Sequence, residues 1–368
     1  KRSESLERFN QQLLMGFLLF GGLYFAQGFL VPFFIASLIA MLLLPICNKL
    51  EKWGLNRVLA ITICIMIFLG ILTGLILLLI NQIAGFNEDL PQLREKLQEH
   101  LVNLKTGIIE YTEISREQIQ GIIQDGIEKG TSSLGQFLQG ILTVTGGFFV
   151  DFLLILIYIG FFLAYREKIE NFIVWVSPKE EKGKAEEVIK DSTRVAISYL
   201  AGILTVMTIL AICNSIALSL LGIEHAIFFA ILAAILNLIP FIGSFLGSLL
   251  PIFMALLTKD ELWIPITIVI YFSFIQYIES YFLTPFIVGG KTKVNPLAEI
   301  LALVIGGVIW GIAGLILFIP LMGLVKVLFD HVDKLKPYGY LIGRDETPST
   351  SKAIDAIISW VKKSFGKK

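Results

Sequence analysis

Long apolar runs alternate with short charged connectors along most of the chain. Several runs carry no charge and reach the roughly 20 residues that a helix needs to cross a bilayer. The first two, residues 13–31 and 33–47, meet at Pro32, and a third covers residues 58–80. Because proline restricts its own backbone and that of the preceding residue, we expect Pro32 to mark a corner between two helices. Residues 1–80 are therefore predicted to form an N-terminal region of three spans.

Residues 81–140 differ, because charge returns and apolar residues recur at a spacing of three and four. The recurring positions are Leu90, Leu93, Leu97, Leu101, Leu104 and Ile108. This spacing is typical of one apolar helical face, and Ser115 with Gln118 fits a capping box that opens a second helix. We expect an amphipathic helical insert outside the membrane. It would serve as a lid, a substrate collector, an oligomer contact or a spacer on the membrane surface.

Positive charge is concentrated in a few connectors, and this predicts the orientation of the spans. Lys and Arg cluster at the N-terminus, in residues 48–57 and in residues 166–194, which contain seven of them. Since cytoplasmic loops are enriched in Lys and Arg, we expect these segments in the cytoplasm. Residues 141–194 then combine a fourth span with a cytoplasmic charged linker. The lysine-rich residues 330–368 form a cytoplasmic tail, so both termini are expected on the cytoplasmic side.

The C-terminal apolar region, residues 195–329, contains helix breakers inside its runs. Residues 226–257 form either one broken crossing or a hairpin that turns near Pro240 and Gly243. Only the hairpin brings the lysines at 291 and 293 to the cytoplasmic side. Pro285 and Gly289 are expected to end the following span.

A second hairpin is expected over residues 297–329, bending at one of two glycine pairs: Gly306 with Gly307, or Gly311 with Gly314. Two such hairpins resemble the broken helices of secondary transporters, and a plain eight-span arrangement is the alternative. The expected fold class is an all-α polytopic membrane protein with about seven to eight transmembrane helices. Broken or re-entrant hairpins lie in its C-terminal half, and residues 195–329 form its transport core.

Composition agrees with this pattern and excludes a soluble globular domain. Apolar residues are 55% and charged residues 16% of the 368-residue chain, against roughly 45–50% and about 25% in a soluble domain. Lys plus Arg equals Asp plus Glu at 30 each, so net charge indicates no nucleic-acid partner. Cys47, Cys64 and Cys213 lie in apolar runs without metal-ligand spacing, and the sequence shows no nucleophile triad or Walker loop. We therefore expect no enzyme, no metal and no cofactor.

Gln276, Glu279 and Ser280 place polar groups inside an apolar run. Gln276 and Glu279 are three residues apart, so they share one face of a helix, with Ser280 at its side. A carboxylate near the bilayer centre costs about 2.5–3.5 kcal/mol on insertion scales, so it should be paired, hydrated or protonated. Glu279 is thus a candidate to bind a proton, a cation or a substrate hydroxyl. The alternative is a hydrogen-bonded clamp between helices.

Asn237 precedes Pro240 by about one helical turn, and this spacing predicts a polar notch. Pro240 removes a backbone donor, so carbonyls freed behind it can join the Asn237 amide in holding a small ligand or a cation. Gly243 and Gly247 permit close backbone approach, and packing alone is the other interpretation. Gly307 and Gly311 have the same spacing, and there packing is favoured.

These segments, taken in order, are similar to a known family of bacterial permeases. They are residues 30–36 (LVPFFIA), 50–54 (LEKWG), 237–243 (NLIPFIG), 276–279 (QYIE), Pro285, Gly289, 296–297 and 311–320 (GIAGLILFIP). The chain resembles the autoinducer-2 exporter (AI-2E) family, also called PerM-like, over nearly its whole length. The resemblance implies a bacterial inner-membrane protein with a hydrophilic insert after the third span, which forms homo-oligomers.

The resemblance leaves the substrate open, because it implies either export of the quorum-sensing furanone autoinducer-2 or exchange of sodium or lithium for protons. Our first hypothesis is an exporter of a small polar metabolite. Glu279 is its protonation site, Asn237 and Gln276 are hydrogen-bonding residues, and the turn from Pro240 to Gly243 is its gate. A cation/proton antiporter is the alternative. A further alternative is a membrane scaffold or receptor that acts through residues 81–140.

Overall fold

The computed structural model describes residues 2–81, 149–178, 181–239, 242–259, 261, 263–288 and 293–344. The predicted insert, apart from Asn81, lies outside these residues, as do Pro240, Gly289 and the tail from residue 345. The helices are α1 (Arg2–Phe25), α2 (Gln27–Lys52), α3 (Arg57–Asn81), α4 (Phe149–Ala164), α5 (Arg166–Val176), α6 (Lys182–Leu220), α7 (Ala226–Leu236), α8 (Ile242–Thr258), α9 (Trp263–Ile287), α10 (Pro296–His331) and α11 (Lys336–Ile342).

Five of the described helices are long and apolar enough to cross a membrane: α2, α3, α6, α9 and α10. Shorter apolar helices accompany them, among them α4, α7 and most of α8. Large apolar side chains remain exposed on their outer faces, for example Val58 at 72% and Val308 at 76%. Such surfaces suit contact with lipid, because water would penalise them. The prediction of an all-α polytopic membrane protein is confirmed.

The predicted corner at Pro32 is wrong, because α2 runs through Pro32 without a break. The chain leaves helical geometry instead at Ala26, between α1 and α2. The hydrogen bonds on either side of Ala26 are still helical: its N–H donates to Gly22, and its carbonyl accepts from Leu30. A proline in an apolar helix removes only one ladder bond, and neighbouring helices tolerate that loss. Pro32 itself is buried.

Small residues let α2, α3 and α4 pack closely. Ala36 and Cys47 on α2 and Ala60 and Cys64 on α3 are all completely inaccessible. They form one cluster with Ile159 and Leu163 of α4. Helices in lipid associate through such close contacts, since apolar burial gives no driving force there. This bundle is the N-terminal half of the described protein.

Ion pairs bring several charged segments together at one end of the molecule, which we call the charged end. There Arg166 bonds Glu51, Arg57 lies 3.4 Å from Glu167, and Lys184 lies 2.8 Å from Asp333. The connector after α2, the segment after α4 and the segment after α10 therefore share one side. This is the arrangement that the clustering of Lys and Arg predicts for a cytoplasmic face.

The longest helix, α6, begins at Lys182, so the predicted charged linker is partly helical and continues directly into the span. The helix runs for 39 residues from the charged end to the opposite end. It stops at Gly222, whose φ of +66° is readily adopted only by glycine. The sequence from 182 to 194 contains no glycine beyond Gly183 and no proline, so nothing separates linker and span.

Residues 226–258 form a helical hairpin, as the hairpin interpretation predicts. Helices α7 and α8 pack against each other around a turn that starts at Asn237. Helix α9 then returns, and Lys293 beyond it bonds Arg344 through the backbone beside α11. Lys293 thus lies at the charged end, whereas a single broken crossing would put it at the opposite end.

α10 consists of two helical arms that form a second hairpin, and the chain turns between them at Gly311. Gly311 has φ +58° and ψ −135°, a conformation open to glycine and strained for other residues. The two arms touch on either side of this break, since a Cβ added to Gly314 would lie 1.8 Å from the Gly306 carbonyl oxygen. The start of α10 also meets α11, because the Asn295 N–H donates to the Ile342 carbonyl at 2.9 Å. The bend predicted within 306–314 is confirmed, and a single crossing by residues 297–329 is excluded.

Candidate functional site

The α7–α8 turn positions Asn237. Helix α7 ends at this residue, whose N–H still donates to the Ala233 carbonyl at 3.0 Å. The chain resumes helical hydrogen bonding where Gly243 donates to Ile239 at 2.9 Å. Asn237 is therefore held on a short, hydrogen-bonded turn. Pro240, part of the predicted gate, lies outside the described residues.

Glycines bring the arms of this hairpin into backbone contact. A Cβ added to Gly243 would lie 1.7 Å from the Leu236 carbonyl oxygen, and one added to Gly247 would lie 2.7 Å from the Ala233 Cα. Real atoms cannot approach this closely, so both positions require glycine. Packing, which the sequence offered as the other interpretation, is thus one role of these glycines. It also fixes the distance between Asn237 and α8.

Glu279 begins a π-helical turn within α9. The turn covers Glu279–Leu283, and the Thr284 N–H donates five residues back to the Glu279 carbonyl. Pro285 follows at once and brings no N–H, so it cannot continue an α-helical ladder across this point. Single π-helical turns inside α-helices are frequent at functional sites. The sequence predicted that Pro285 and Gly289 end the span, and helical structure stops between these positions, at Ile287.

The Asn237 and Glu279 side chains meet across the two elements. Asn237 Nδ2 donates to Glu279 Oε1 at 2.7 Å, although 42 residues separate them in the chain. The Gln276 side chain lies beside the Glu279 carboxyl group, and its Nε2 donates to Ser280 Oγ at 3.2 Å. Asn237, Gln276 and Glu279 are half-buried, and Ser280 is exposed. The structure therefore brings together the polar residues that the sequence selected.

Amides are the partners of the Glu279 carboxyl group among the described residues. An amide donor stabilises a carboxylate less than a paired cation does, so the negative charge is only partly compensated. Such a group can take up a proton, or it can accept a bond from a cation or a solute hydroxyl. The described residues contain no group of three or more potential metal ligands.

The glycines of the second hairpin act in packing and bending. A Cβ on Gly314 would lie 1.8 Å from the Gly306 carbonyl oxygen, so the two arms touch through backbone there. Gly307 has less contact, with the Leu315 side chain at 3.0 Å. Gly311 provides the turn itself. These residues shape the hairpin and lie on a different element from Asn237 and Glu279.

Sequence reasoning missed a second polar contact, between Asn214 of α6 and Tyr271 of α9. The Tyr271 hydroxyl donates to Asn214 Oδ1 at 3.0 Å. Asn214 is only 4% exposed, and it is one of two buried polar or charged residues among those described. The only signal in the sequence was a single amide in the uncharged stretch 195–223.

Comparison with known proteins agrees with this architecture. The family model described as AI-2E family transporter matches residues 13–334. Among similar proteins, YrrI of Bacillus subtilis, named as a transport protein, is 27% identical over 83% of this chain and 87% of its own length. The AI-2 transport protein TqsA of Escherichia coli is 24% identical over 84% of this chain and 88% of its own length. PerM of the same species, named as a permease, is 26% identical over 84% of this chain and 89% of its own length. The chain therefore belongs to the AI-2E transporter family, a family of bacterial membrane permeases.

Proposed function

We propose that this protein exports a small polar metabolite of the autoinducer-2 type across the bacterial inner membrane, and that protonation of Glu279 drives or gates the step. The 2.7 Å hydrogen bond between Asn237 and Glu279 carries the proposal. This bond joins the turn of the α7–α8 hairpin to the π-helical turn of α9, within the apolar region of a transporter. Irregular backbone and a half-buried acid in lipid are both costly, and together they favour a pathway.

In the proposed mechanism, Asn237 and Glu279 close the route between α7–α8 and α9. While the carboxylate is charged, the Asn237 amide stabilises it and holds the hairpin turn against the π-helical turn. When a proton or a solute hydroxyl stabilises the Glu279 carboxylate instead, the hydrogen bond from Asn237 weakens and the hairpin turn can move. Gln276 and Ser280, within one helical turn of Glu279, supply further hydrogen bonds to the solute. Because Gly243 has no side chain, the two arms of the hairpin can pack closely again when the turn moves back.

A vesicle assay tests the role of Glu279. Purified protein in proteoliposomes is loaded with autoinducer-2, and efflux is measured between pH 5 and 8. We expect the wild-type rate to depend on pH and the Glu279→Gln rate to be independent of pH. Glu299→Gln is the matched control, because Glu299 is another half-buried carboxylate in this region. Equal efflux by wild type and Glu279→Gln at every pH removes Glu279 from the mechanism.

A cation/proton antiporter is the second candidate function. Oxygen atoms of Glu279, Ser280 and Gln276 lie within one helical turn, and carboxylate, hydroxyl and amide oxygens suit a monovalent cation. This function predicts that added sodium or lithium discharges a pH gradient imposed across the vesicles. Vesicles that hold their gradient after both additions reject it.

We further propose that the charged end faces the cytoplasm, together with both termini. The ion pairs of Glu51 with Arg166 and of Lys184 with Asp333 support this, because they bring segments rich in Lys and Arg to one side. Labelling of Lys184→Cys by a membrane-impermeant maleimide tests the orientation. We expect labelling in inside-out vesicles and none in intact cells, and the reverse pattern contradicts it.

A further inference from the structure

Asn214 is a polar residue in the apolar interior stripe of α6. Leu210 and Leu218, one helical turn to either side, are 4% and 0% exposed. An amide at such a position is costly unless it is hydrogen-bonded, and leucine or alanine would pack there without that requirement. The established fold therefore gives no reason for an amide at residue 214.

Its partner, Tyr271, comes from α9, the helix that carries Glu279. The phenol hydroxyl donates to Asn214 Oδ1 at 3.0 Å, and the ring packs at right angles on Phe272. Tyr271 is half-buried, so its hydroxyl is not sealed in the core as Asn214 is. A phenol oxygen that donates one bond can accept others at the same time. The pair thus offers neutral donor and acceptor groups at one point.

The position of this pair relates it to Glu279. Tyr271 precedes Glu279 by eight residues, which is about 12 Å along a helix and about 80° around it. In the other direction, Asn214 precedes Ser219 by five residues, which is about 7.5 Å along α6 and about 140° around it. Ser219 and His225 line an open cavity of about 360 Å³ where α6 joins α7. Polar groups therefore recur from this cavity, through Asn214 and Tyr271, to Glu279.

We propose that Asn214 and Tyr271 form a second solute-binding station of the transport route, between the cavity at Ser219 and Glu279. Both side chains are neutral, so the station takes hydroxyl or carbonyl groups of an uncharged polar solute. Leu218, which is fully buried one helical turn beyond Asn214, closes this part of the route in the proposed mechanism. The inference rests on the proposed function, in that it assumes that the C-terminal region carries such a solute.

Cysteine labelling tests the station without knowledge of the solute. In a background where Cys47, Cys64 and Cys213 are alanine, Asn214→Cys and Tyr271→Cys are exposed to a small water-soluble thiosulfonate. We expect both to react. Glu224→Cys, on the exposed α6–α7 connection, is the positive control, and Ile268→Cys, at a fully buried position of α9, is the negative control. If both test positions stay unlabelled while Glu224→Cys reacts, no aqueous route reaches them and the proposal is overturned.

Efflux of autoinducer-2 from proteoliposomes then tests solute binding. Loss of one hydrogen bond to the solute should raise the half-saturation concentration of Tyr271→Phe by roughly tenfold, with a smaller change in maximal rate. A purely structural clamp would lower the amount of folded protein and leave the half-saturation concentration unchanged, and that result overturns the station. If wild-type vesicles carry no autoinducer-2 while both cysteines react, the proposed substrate fails and the station stands.

Discussion

The Asn237 amide and the Glu279 carboxylate should be energetically coupled, because each leaves the other without its partner when removed. We expect a double-mutant cycle of Asn237→Ala and Glu279→Ala to give a coupling of about 1–3 kcal/mol in the free energy of unfolding in detergent. Ser248→Ala replaces Asn237→Ala in the control cycle, since Ser248 bonds a carbonyl of its own helix. A coupling no larger than the control would show that the contact is incidental.

The sequence singled out both members of one polar pair, Asn237 and Glu279, and neither member of the other, and the reason lies in the residues themselves. Asn237 and Glu279 are polar groups beside helix breakers, so pattern alone singles them out. Tyr271 does not stand out, because its ring fits an apolar run, and Asn214 has no helix breaker near it. Their contact spans 57 residues and exists only through tertiary packing. Local spacing therefore identifies Gln276 with Glu279 and fails for Asn214 with Tyr271.

The π-helical turn in α9 should depend on Pro285, which cannot donate to an α-helical ladder. Pro285→Ala supplies that donor, so we expect regular α-helix, a gain of up to about 3 kcal/mol in unfolding free energy, and slower efflux because Glu279 rotates. Thermal unfolding and vesicle efflux measure the two effects. Pro265→Ala is the control, because Pro265 lies in the first turn, where the N–H is unpaired in any case. Unchanged efflux from Pro285→Ala contradicts a role for the π-helical turn.

The second hairpin should tolerate no side chain at Gly314. Its Cβ would overlap the Gly306 carbonyl, and backbone atoms cannot move aside as a flexible side chain can. We expect Gly314→Ala to lower the free energy of unfolding by about 1–3 kcal/mol or to separate the two arms. Gly70→Ala in α3 is the control, since nothing lies within 4 Å of its added Cβ. Equal melting temperatures for the two variants would argue against the close contact.

Helices and hairpins were predicted better than the points where helices bend. Glycine pairs and prolines indicated both C-terminal hairpins, because few other residues allow such turns. Pro32 misled, since a proline within a packed apolar helix need not break it, and Ala26 carries no sequence signal for its kink. The π-helical turn is only five residues long, so it leaves no periodic pattern of apolar residues in the sequence. Such features depend on which helices pack nearby.

Ion pairs join several distant segments at the charged end. The stability that Asp333 contributes through Lys184 and Lys336 should fall in acid. Hydrogen bonds from Lys184 and Lys336 lower the pKa of Asp333 to about 2. The folded-state pKa lies below the ordinary value, so the stabilisation is present above about pH 4 and disappears as the pH falls towards 2. We expect Asp333→Asn to melt below wild type at pH 6, with the difference vanishing near pH 2. The effect is modest because these groups are exposed. Glu186→Gln, an exposed carboxylate of α6, is the control and should show no such trend.

Backbone bonds from Asn295 to Ile342 and from Arg344 to Lys293 attach the end of the described chain to the start of α10. The segment that leaves Arg344 therefore emerges beside the mouth of the second hairpin. A fluorescent reporter fused after residue 344 would lie next to the start of α10 and could disturb the backbone bonds there. Purification tags and reporters intended to leave transport undisturbed are better attached ahead of α1.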